Sequence, residues 1–201
     1  MLEVWQKLLA ELEVFNALEV AAVITAIFYI ILASKGNRWC FLFGLISSSI
    51  YIYITFHLNF YFDVVINAYY VIMSFCGWFA WAKQTNVSVI KVEQISSKKL
   101  FYIIVLGSVT FIVLAIIADV YSASELAYFD AFTTVFAIIA TYMVIKRQIE
   151  NWLLWIAVDT IAAGMYFYKE LYFTALLFVI NTIVAVYGYL KWKRLLELKS
   201  R

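Results

Sequence analysis

Three residues at helical spacing could form a binding site for a flat, positively charged ligand. Trp152, Trp155 and Asp159 follow one another at intervals of three and four residues, which places them on one face of a helix. Asp159 lies about 10 Å beyond Trp152 along the helix axis, at 1.5 Å per residue. Indole rings attract cations through their faces, and a carboxylate supplies the opposite charge. The alternative is that Trp152 belongs to an interfacial belt and that Asp159 pairs with a neighbouring helix.

Amides and a hydroxyl add four further candidates. Asn151 directly precedes Trp152, and Asn67 and Asn181 lie in two other apolar runs. An amide buried among apolar helices needs a hydrogen-bond partner, which is either another helix or a ligand. Ser47 begins a run of three serines, and such hydroxyls commonly bond to their own helix backbone. We retain Ser47 as a candidate ligand contact as well.

The chain lacks the constellations that enzymes use. It has no G-x-x-x-x-G-K-[ST] loop, and its only histidine, His57, has no nucleophile beside it. Cys40 and Cys76 lie in separate apolar runs without the spacing of a metal site. We therefore expect no catalysis, no metal and no cofactor. The net charge of +2 does not indicate binding to nucleic acid.

Composition points to a protein embedded in lipid. Hydrophobic residues make up 66% of the 201 residues, charged residues make up 14%, and the mean hydropathy is +0.92. Soluble domains are about 45–50% apolar and about 25% charged. A soluble fold of this length could not bury so much apolar surface. The sequence therefore predicts an all-α integral membrane protein.

Seven apolar runs are long enough, or nearly so, to cross a bilayer. They are Val20–Ser34, Trp39–Phe62, Val64–Ala82, Leu100–Ala118, Leu126–Ile145, Trp152–Tyr168 and Leu171–Leu190. The remaining segments are predicted to be an interfacial helix over 1–15, a cytoplasmic linker over 83–99 and a cytoplasmic tail over 193–201.

Loop charges predict the orientation. When the loops are numbered alternately, thirteen of the fifteen Lys and Arg residues fall on one side of the membrane. The positive-inside rule makes that side cytoplasmic. The N-terminus is then outside and the C-terminus inside.

An internal repeat predicts how the helices are grouped. Phe60-Tyr61-Phe62 and Gly77-Trp78-x-x-Trp81 recur at an offset of 111 as Leu171-Tyr172-Phe173 and Gly188-Tyr189-x-x-Trp192. Upstream, Trp39 and Tyr53 match Trp152 and Tyr166 at an offset of 113, which implies a two-residue gap near His57. An even number of crossings separates the copies, so the repeats are parallel. We predict three-helix repeats over 16–82 and 119–192, joined by a linker helix over 100–118.

The sixth run resembles a signature of the PnuC-type vitamin transporter family. The matching motif is Glu150-Asn151-Trp152-x-x-Trp155-x-x-x-Asp159, supported by Gly77-Trp78-x-x-Trp81, Leu171-Tyr172, and Asp130-Ala131-Phe132 leading to Lys146-Arg147. The resemblance covers about residues 35–195. It implies a seven-helix, three-plus-one-plus-three fold similar to SWEET sugar transporters. It also implies uptake of nicotinamide riboside across the inner membrane by facilitated diffusion, with trapping by a cytoplasmic vitamin kinase and assembly as a homo-oligomer, commonly a trimer.

Three departures from the family pattern keep other substrates open. Asp159 replaces a common Asn, Asn67 replaces a Gln, and Leu177-Phe178 stands where a Glu-Tyr pair can occur. Branches of the family resemble thiamine or riboflavin transporters, and thiamine is also a flat cation that suits Asp159. A hypothesis from another class is a membrane scaffold subunit that transports nothing.

Overall fold

The residues that the structure describes form seven helices and no β strand. A computed structural model describes residues 17–57, 61–82, 91–121 and 126–199. The helices are α1 (Ala17–Ser34), α2 (Cys40–His57), α3 (Tyr61–Ala82), α4 (Ser97–Tyr121), α5 (Ala127–Ile145), α6 (Asn151–Tyr168) and α7 (Tyr172–Lys199). Each overlaps the corresponding predicted run, so the all-α fold is confirmed. The interfacial helix predicted over 1–15 lies outside the described residues.

Six of these helices are long and apolar enough to cross a membrane, and α6 is the exception. Its apolar character is diluted by Asn151 and Asp159, both of which are buried. Its 18 residues span about 27 Å, close to the roughly 30 Å of a bilayer core. It begins where Trp152 packs against Trp192 near the end of α7, and it ends shortly before α7 begins. Helix α6 therefore crosses antiparallel to α7 with its polar groups turned inward.

Six helices form a closed ring, and α4 lies outside it. Helix α2 packs between α1 and α3, and α6 packs between α5 and α7. The ring closes where α3 meets α5 and where α1 meets α7, which we call the α3–α5 seam and the α1–α7 seam. Helix α4 packs against α5 and exposes most of its apolar side chains. This arrangement agrees with two three-helix units joined by a linker helix.

Hydrogen bonds across the seams bring the ends of α1, α3, α5 and α7 to one face of the ring. The indole N–H of Trp81 donates to the Ile145 carbonyl, and that of Trp192 donates to the Ser34 carbonyl. This face also carries the basic residues of the adjoining loops and of the α7 end, and we call it the basic face. Helix α7 continues to Lys199, so most of the segment predicted as a tail is helical.

The helix boundaries of the two three-helix units share one constant offset in residue number. Helices α1 and α5 end at Ser34 and Ile145, which differ by 111, and α2 and α6 begin at Cys40 and Asn151, which also differ by 111. The helix boundaries therefore follow the repeat predicted from the sequence.

Packing contacts correct one detail of the predicted alignment. Gly77 lies directly against the ring of Phe41, and Gly188 lies against the ring of Trp152, where an added Cβ would meet carbon atoms at 2.8 Å. Phe41 and Trp152 also differ by 111 in residue number. The predicted two-residue gap, which paired Trp39 with Trp152, is therefore wrong. Trp39 shares only its residue type with Trp152, since it lies half-exposed just before α2 begins.

The α1–α2 and α5–α6 loops make the same turn on the basic face. Gly36 (φ 70°) and Arg147 (φ 54°) both adopt the left-handed conformation, and they occupy equivalent positions of the repeat. The N–H groups of Asn37 and Gln148 then bond back to the preceding helix at 2.9 and 3.0 Å. Glycine adopts this conformation without a steric penalty, so Arg147 is the strained member of the pair.

The second part of the linker is docked on the α5–α6 loop. The N–H of Glu93 donates to the Arg147 carbonyl, and the N–H of Ile149 donates to the Glu93 carbonyl, both at 2.9 Å. Val92 is buried beside this bridge. We call residues 91–96 the docked linker.

Candidate functional site

A cavity of about 210 Å³ lies inside the helix ring. Most of its wall comes from α1, α2 and α3, whereas α5 and α6 contribute one residue each. The lining residues are Ala26, Tyr29, Phe41, Gly44, Ser47, Ser48, Tyr51, Asn67, Tyr70, Met73, Ser74, Thr141 and Trp155. The cavity therefore lies mainly within the first three-helix unit, and Thr141 and Trp155 of the second unit contribute to its wall.

The shape of the cavity depends on a difference between the two units. Trp155 lines it from α6, and the equivalent residue of the repeat in α2 is Gly44. Gly44 has little free space of its own, because an added Cβ would lie 2.9 Å from the ring of Tyr29 and 3.1 Å from the Ser74 hydroxyl oxygen. An indole from one unit thus shares the cavity with small residues of the other. This arrangement leaves room for a planar ligand to stack against the Trp155 indole.

Polar groups in the cavity wall are partly engaged with the helices. The Ser47 hydroxyl donates to the Ala22 carbonyl of α1 at 2.9 Å and so joins two helices. The sequence had favoured a bond to its own helix backbone instead. The Asn67 amide nitrogen donates to the Asp63 carbonyl at 2.8 Å. The oxygen of that amide still offers an acceptor to a ligand. Hydroxyl groups of serine and tyrosine residues supply further donors and acceptors along the wall.

Asp159 lies one helical turn beyond Trp155 on α6 and does not line the cavity. Its side chain is only 2% exposed, and its Oδ2 atom has no hydrogen-bond partner among the described residues. A buried carboxylate with an unpaired oxygen is costly in a membrane protein and usually faces a functional cavity. Asp159 can act on a ligand through its electric field without touching it.

The other three sequence-predicted residues do not line this cavity. Trp152 is 1% exposed and packs with its ring edge-on to Trp192, with centroids 5.3 Å apart. Asn151 is fully buried, and its amide donates to the Gln148 carbonyl at 2.6 Å. Asn181 is half-buried on α7. The structure therefore brings Trp155, Asn67 and Ser47 together, buries Asp159 one helical turn beyond Trp155, and leaves Trp152 and Asn151 at the basic face.

Sequence reasoning missed most of the aromatic wall. Tyr29, Tyr51 and Tyr70 line the cavity together with Ser48 and Ser74. The internal repeat could have pointed to candidates in α2. With a constant offset of 111, Gly44 is the repeat equivalent of Trp155, and Ser48 is the repeat equivalent of Asp159. The tyrosines carry no such signal, since they are scattered among many aromatic residues in apolar runs.

Comparison with known proteins agrees with this geometry. The chain resembles the nicotinamide riboside transporter PnuC of Neisseria mucosa at 29% identity, over 89% of this chain and 73% of the relative. It resembles the nicotinamide riboside transporter PnuC of Escherichia coli at 21% identity, over 87% and 84% of the two chains. A solved structure, the crystal structure of the Vitamin B3 transporter PnuC, superposes with a TM-score of 0.73 at 25% identity, over 96% of this chain and 90% of that chain. The family model described as nicotinamide mononucleotide transporter matches residues 16–194, and this chain belongs to that family.

Proposed function

We propose that this protein carries nicotinamide riboside into the cell by facilitated diffusion. The observation that carries the proposal is the cavity inside the helix ring, where the Trp155 indole from one three-helix unit shares the space with small and hydroxylated residues of the other. The pyridinium ring of the riboside is flat and cationic, so it suits stacking on an indole. The ribose hydroxyls suit the serine and tyrosine hydroxyls and the Asn67 amide.

The lining favours the riboside over its phosphorylated form. A phosphate group is normally bound by Arg, Lys or backbone N–H groups at a helix N-terminus. The residues that line the cavity include no Lys, Arg or His. An ionised Asp159, one helical turn beyond Trp155, would also repel a phosphate. A nucleoside therefore fits this cavity better than a mononucleotide.

Thiamine is the second candidate, because the buried carboxylate of Asp159 favours any flat cationic vitamin equally. Its thiazolium ring is also cationic, and the buried Asp159 would supply the same counter-charge. The two vitamins differ in their hydrogen-bonding groups, since only the riboside offers a row of sugar hydroxyls. The hydroxyl-rich wall around Ser47 and Tyr51 therefore favours the riboside.

Flux through this site is proposed to be passive. A coupled carrier needs an ion site near the middle of the membrane. Within the described helices, Asp159 is the only buried carboxylate. A cationic vitamin would pair with its charge, which leaves no second carboxylate there for a coupling ion. Net uptake would then require a cytoplasmic kinase that phosphorylates the vitamin and prevents its return.

The proposal extends to the membrane location, orientation and oligomeric state of the protein. It is a multi-pass membrane protein, and we place it in the inner membrane with the basic face toward the cytoplasm, by the positive-inside rule. We also propose that it forms a homo-oligomer, such as a trimer. The long apolar surface of α4, which packs mainly against α5, is available to a second copy or to lipid.

A binding panel on the purified protein tests the substrate. Quenching of tryptophan fluorescence is recorded with nicotinamide riboside, nicotinamide mononucleotide, thiamine and riboflavin. We expect saturable quenching by the riboside below millimolar concentration and much weaker quenching by the mononucleotide. A Trp155→Phe variant should lose a large part of the signal, because the quenched indole is the stacking partner. Stronger binding of thiamine or of the mononucleotide would contradict the riboside assignment and identify the stronger ligand as the substrate.

A further inference from the structure

The two seams of the helix ring are closed on the basic face by matched hydrogen bonds. The Trp81 indole donates to the Ile145 carbonyl across the α3–α5 seam, and the Trp192 indole donates to the Ser34 carbonyl across the α1–α7 seam, each at 3.1 Å. The two donors differ by 111 in residue number, and so do the two acceptors. The two indole rings lie 6.4 Å apart between their centroids. The repeat therefore supplies each seam with the same closing contact.

The α3–α5 seam has two additional hydrogen bonds. The Tyr69 hydroxyl donates to the Ile138 carbonyl at 2.9 Å, and the Arg147 guanidinium donates to the Ala80 carbonyl at 3.1 Å. The guanidinium also lies over the Trp81 ring, 5.3 Å from its centroid. This contact gives a reason for Arg147 to hold the strained left-handed conformation described above.

The α1–α7 seam cannot form the equivalents of these two bonds. The residue equivalent to Tyr69 is Ile180, which has no hydroxyl, and the residue equivalent to Arg147 is Gly36, which has no side chain. Of the three bonds that cross the α3–α5 seam, the α1–α7 seam therefore shares only the one made by Trp192. Each hydrogen bond contributes only a modest net free energy, but the difference accumulates over the seam.

Chain connectivity adds to the difference. Helix α3 leads through the linker to α4, and the docked linker is bonded to the α5–α6 loop through Glu93 and through the Ile95 N–H, which donates to the Glu150 carboxylate at 3.1 Å. The chain thus ties the two three-helix units together beside the α3–α5 seam. Helices α1 and α7 belong to different units, no linker runs between them, and the Trp192 bond joins their ends at the basic face.

We propose that the protein opens toward its basic face along the α1–α7 seam, while the α3–α5 seam stays closed and acts as the hinge. Opening then breaks the Trp192–Ser34 hydrogen bond and separates the ends of α1 and α7. The Trp81–Ile145 bond persists throughout. Transport would be asymmetric even though the two units are built from the same repeat.

A pair of cysteine reporters at equivalent positions tests this proposal. Ser34→Cys and Ile145→Cys are introduced separately into protein that carries Cys40→Ala and Cys76→Ser. Both native side chains are buried, at 1% and 8% exposed, so each reports only when its seam opens. Labelling by a charged methanethiosulfonate reagent is measured in proteoliposomes, with and without nicotinamide riboside. If one reporter protein is unstable, Ala33→Cys and Val144→Cys form a second equivalent pair, with native exposures of 1% and 2%.

We expect the cysteine at position 34 to react about tenfold faster than that at position 145, the factor given by one to two net hydrogen bonds. Trp192→Phe should accelerate labelling at 34 further, and Tyr69→Phe combined with Arg147→Gln should raise labelling at 145. Equal rates at the two positions, faster labelling at 145, or no labelling at either would overturn the proposal. The comparison without ligand needs no substrate, so its failure is distinguishable from failure of the riboside assignment.

Discussion

At the scale of single residues, one face of α6 serves three purposes at three depths. Trp152 packs against Trp192 at the basic face, Trp155 lines the cavity, and Asp159 is buried one helical turn further along. Helical spacing in the sequence correctly indicates that the three share a face. It cannot indicate which neighbour each one meets, because that depends on where α7 and α3 lie. The spacing therefore places Trp152 and Trp155 on one face without showing that only Trp155 lines the cavity.

Replacement of the cavity indole should weaken binding. If the vitamin ring stacks on Trp155, then Trp155→Ala should cost about 1–3 kcal/mol of binding, or roughly 5- to 150-fold in Kd, by analogy with base stacking on aromatic side chains. Trp78→Ala provides a control, because Trp78 does not line this cavity. Titration calorimetry with nicotinamide riboside measures both. Unchanged affinity in Trp155→Ala would contradict stacking at this position.

Replacement of the buried carboxylate should weaken binding of cations selectively. At an effective dielectric constant of about 20, a unit charge within about 10 Å of the cation contributes at least about 1.5 kcal/mol, or about tenfold in Kd. Asp159→Asn keeps the shape and removes the charge, so it should weaken nicotinamide riboside by about that factor. The neutral dihydro form of the riboside is the control ligand and should be affected much less. Equal losses for both ligands would show that Asp159 acts through structure instead of charge.

At the scale of elements, two glycines allow the middle helix of each unit to pack closely against its neighbour. Gly77 on α3 admits the Phe41 ring, and Gly188 on α7 admits the Trp152 ring. The pattern Gly-aromatic-x-x-Trp in the sequence marks both positions. The pattern reveals the repeat, whereas its packing function appears only once the helices are paired.

Substitution of these glycines should destabilise the protein. Gly77→Ala and Gly188→Ala place a methyl group inside an occupied aromatic contact, which costs about 1–3 kcal/mol as overpacking. Gly164→Ala is the matched control, because no atom lies within 4 Å of its added Cβ, and alanine favours a helix. Thermal unfolding in detergent should show a lower midpoint for the first two variants only. A comparable loss in Gly164→Ala would mean that contact at the glycine is not the cause.

At the scale of the whole molecule, most of the fold could be predicted from the sequence. Long apolar runs define helices in lipid because backbone groups there must bond internally, and the repeat indicates two three-helix units. The sequence did not indicate which helices form the seams. It also could not indicate that Tyr69 and Arg147 strengthen only one of them, because those bonds depend on the tertiary pairing of α3 with α5.

The central claim is that this chain alone moves nicotinamide riboside passively, and uptake into proteoliposomes that contain only this protein tests it most directly. We predict saturable uptake that stops when internal and external concentrations are equal, with or without a proton or sodium gradient, and that continues when a riboside kinase and ATP are enclosed. Empty liposomes provide the baseline. No uptake above that baseline would contradict transport and favour a scaffold, and accumulation above the external concentration under an ion gradient without kinase would contradict passive flux.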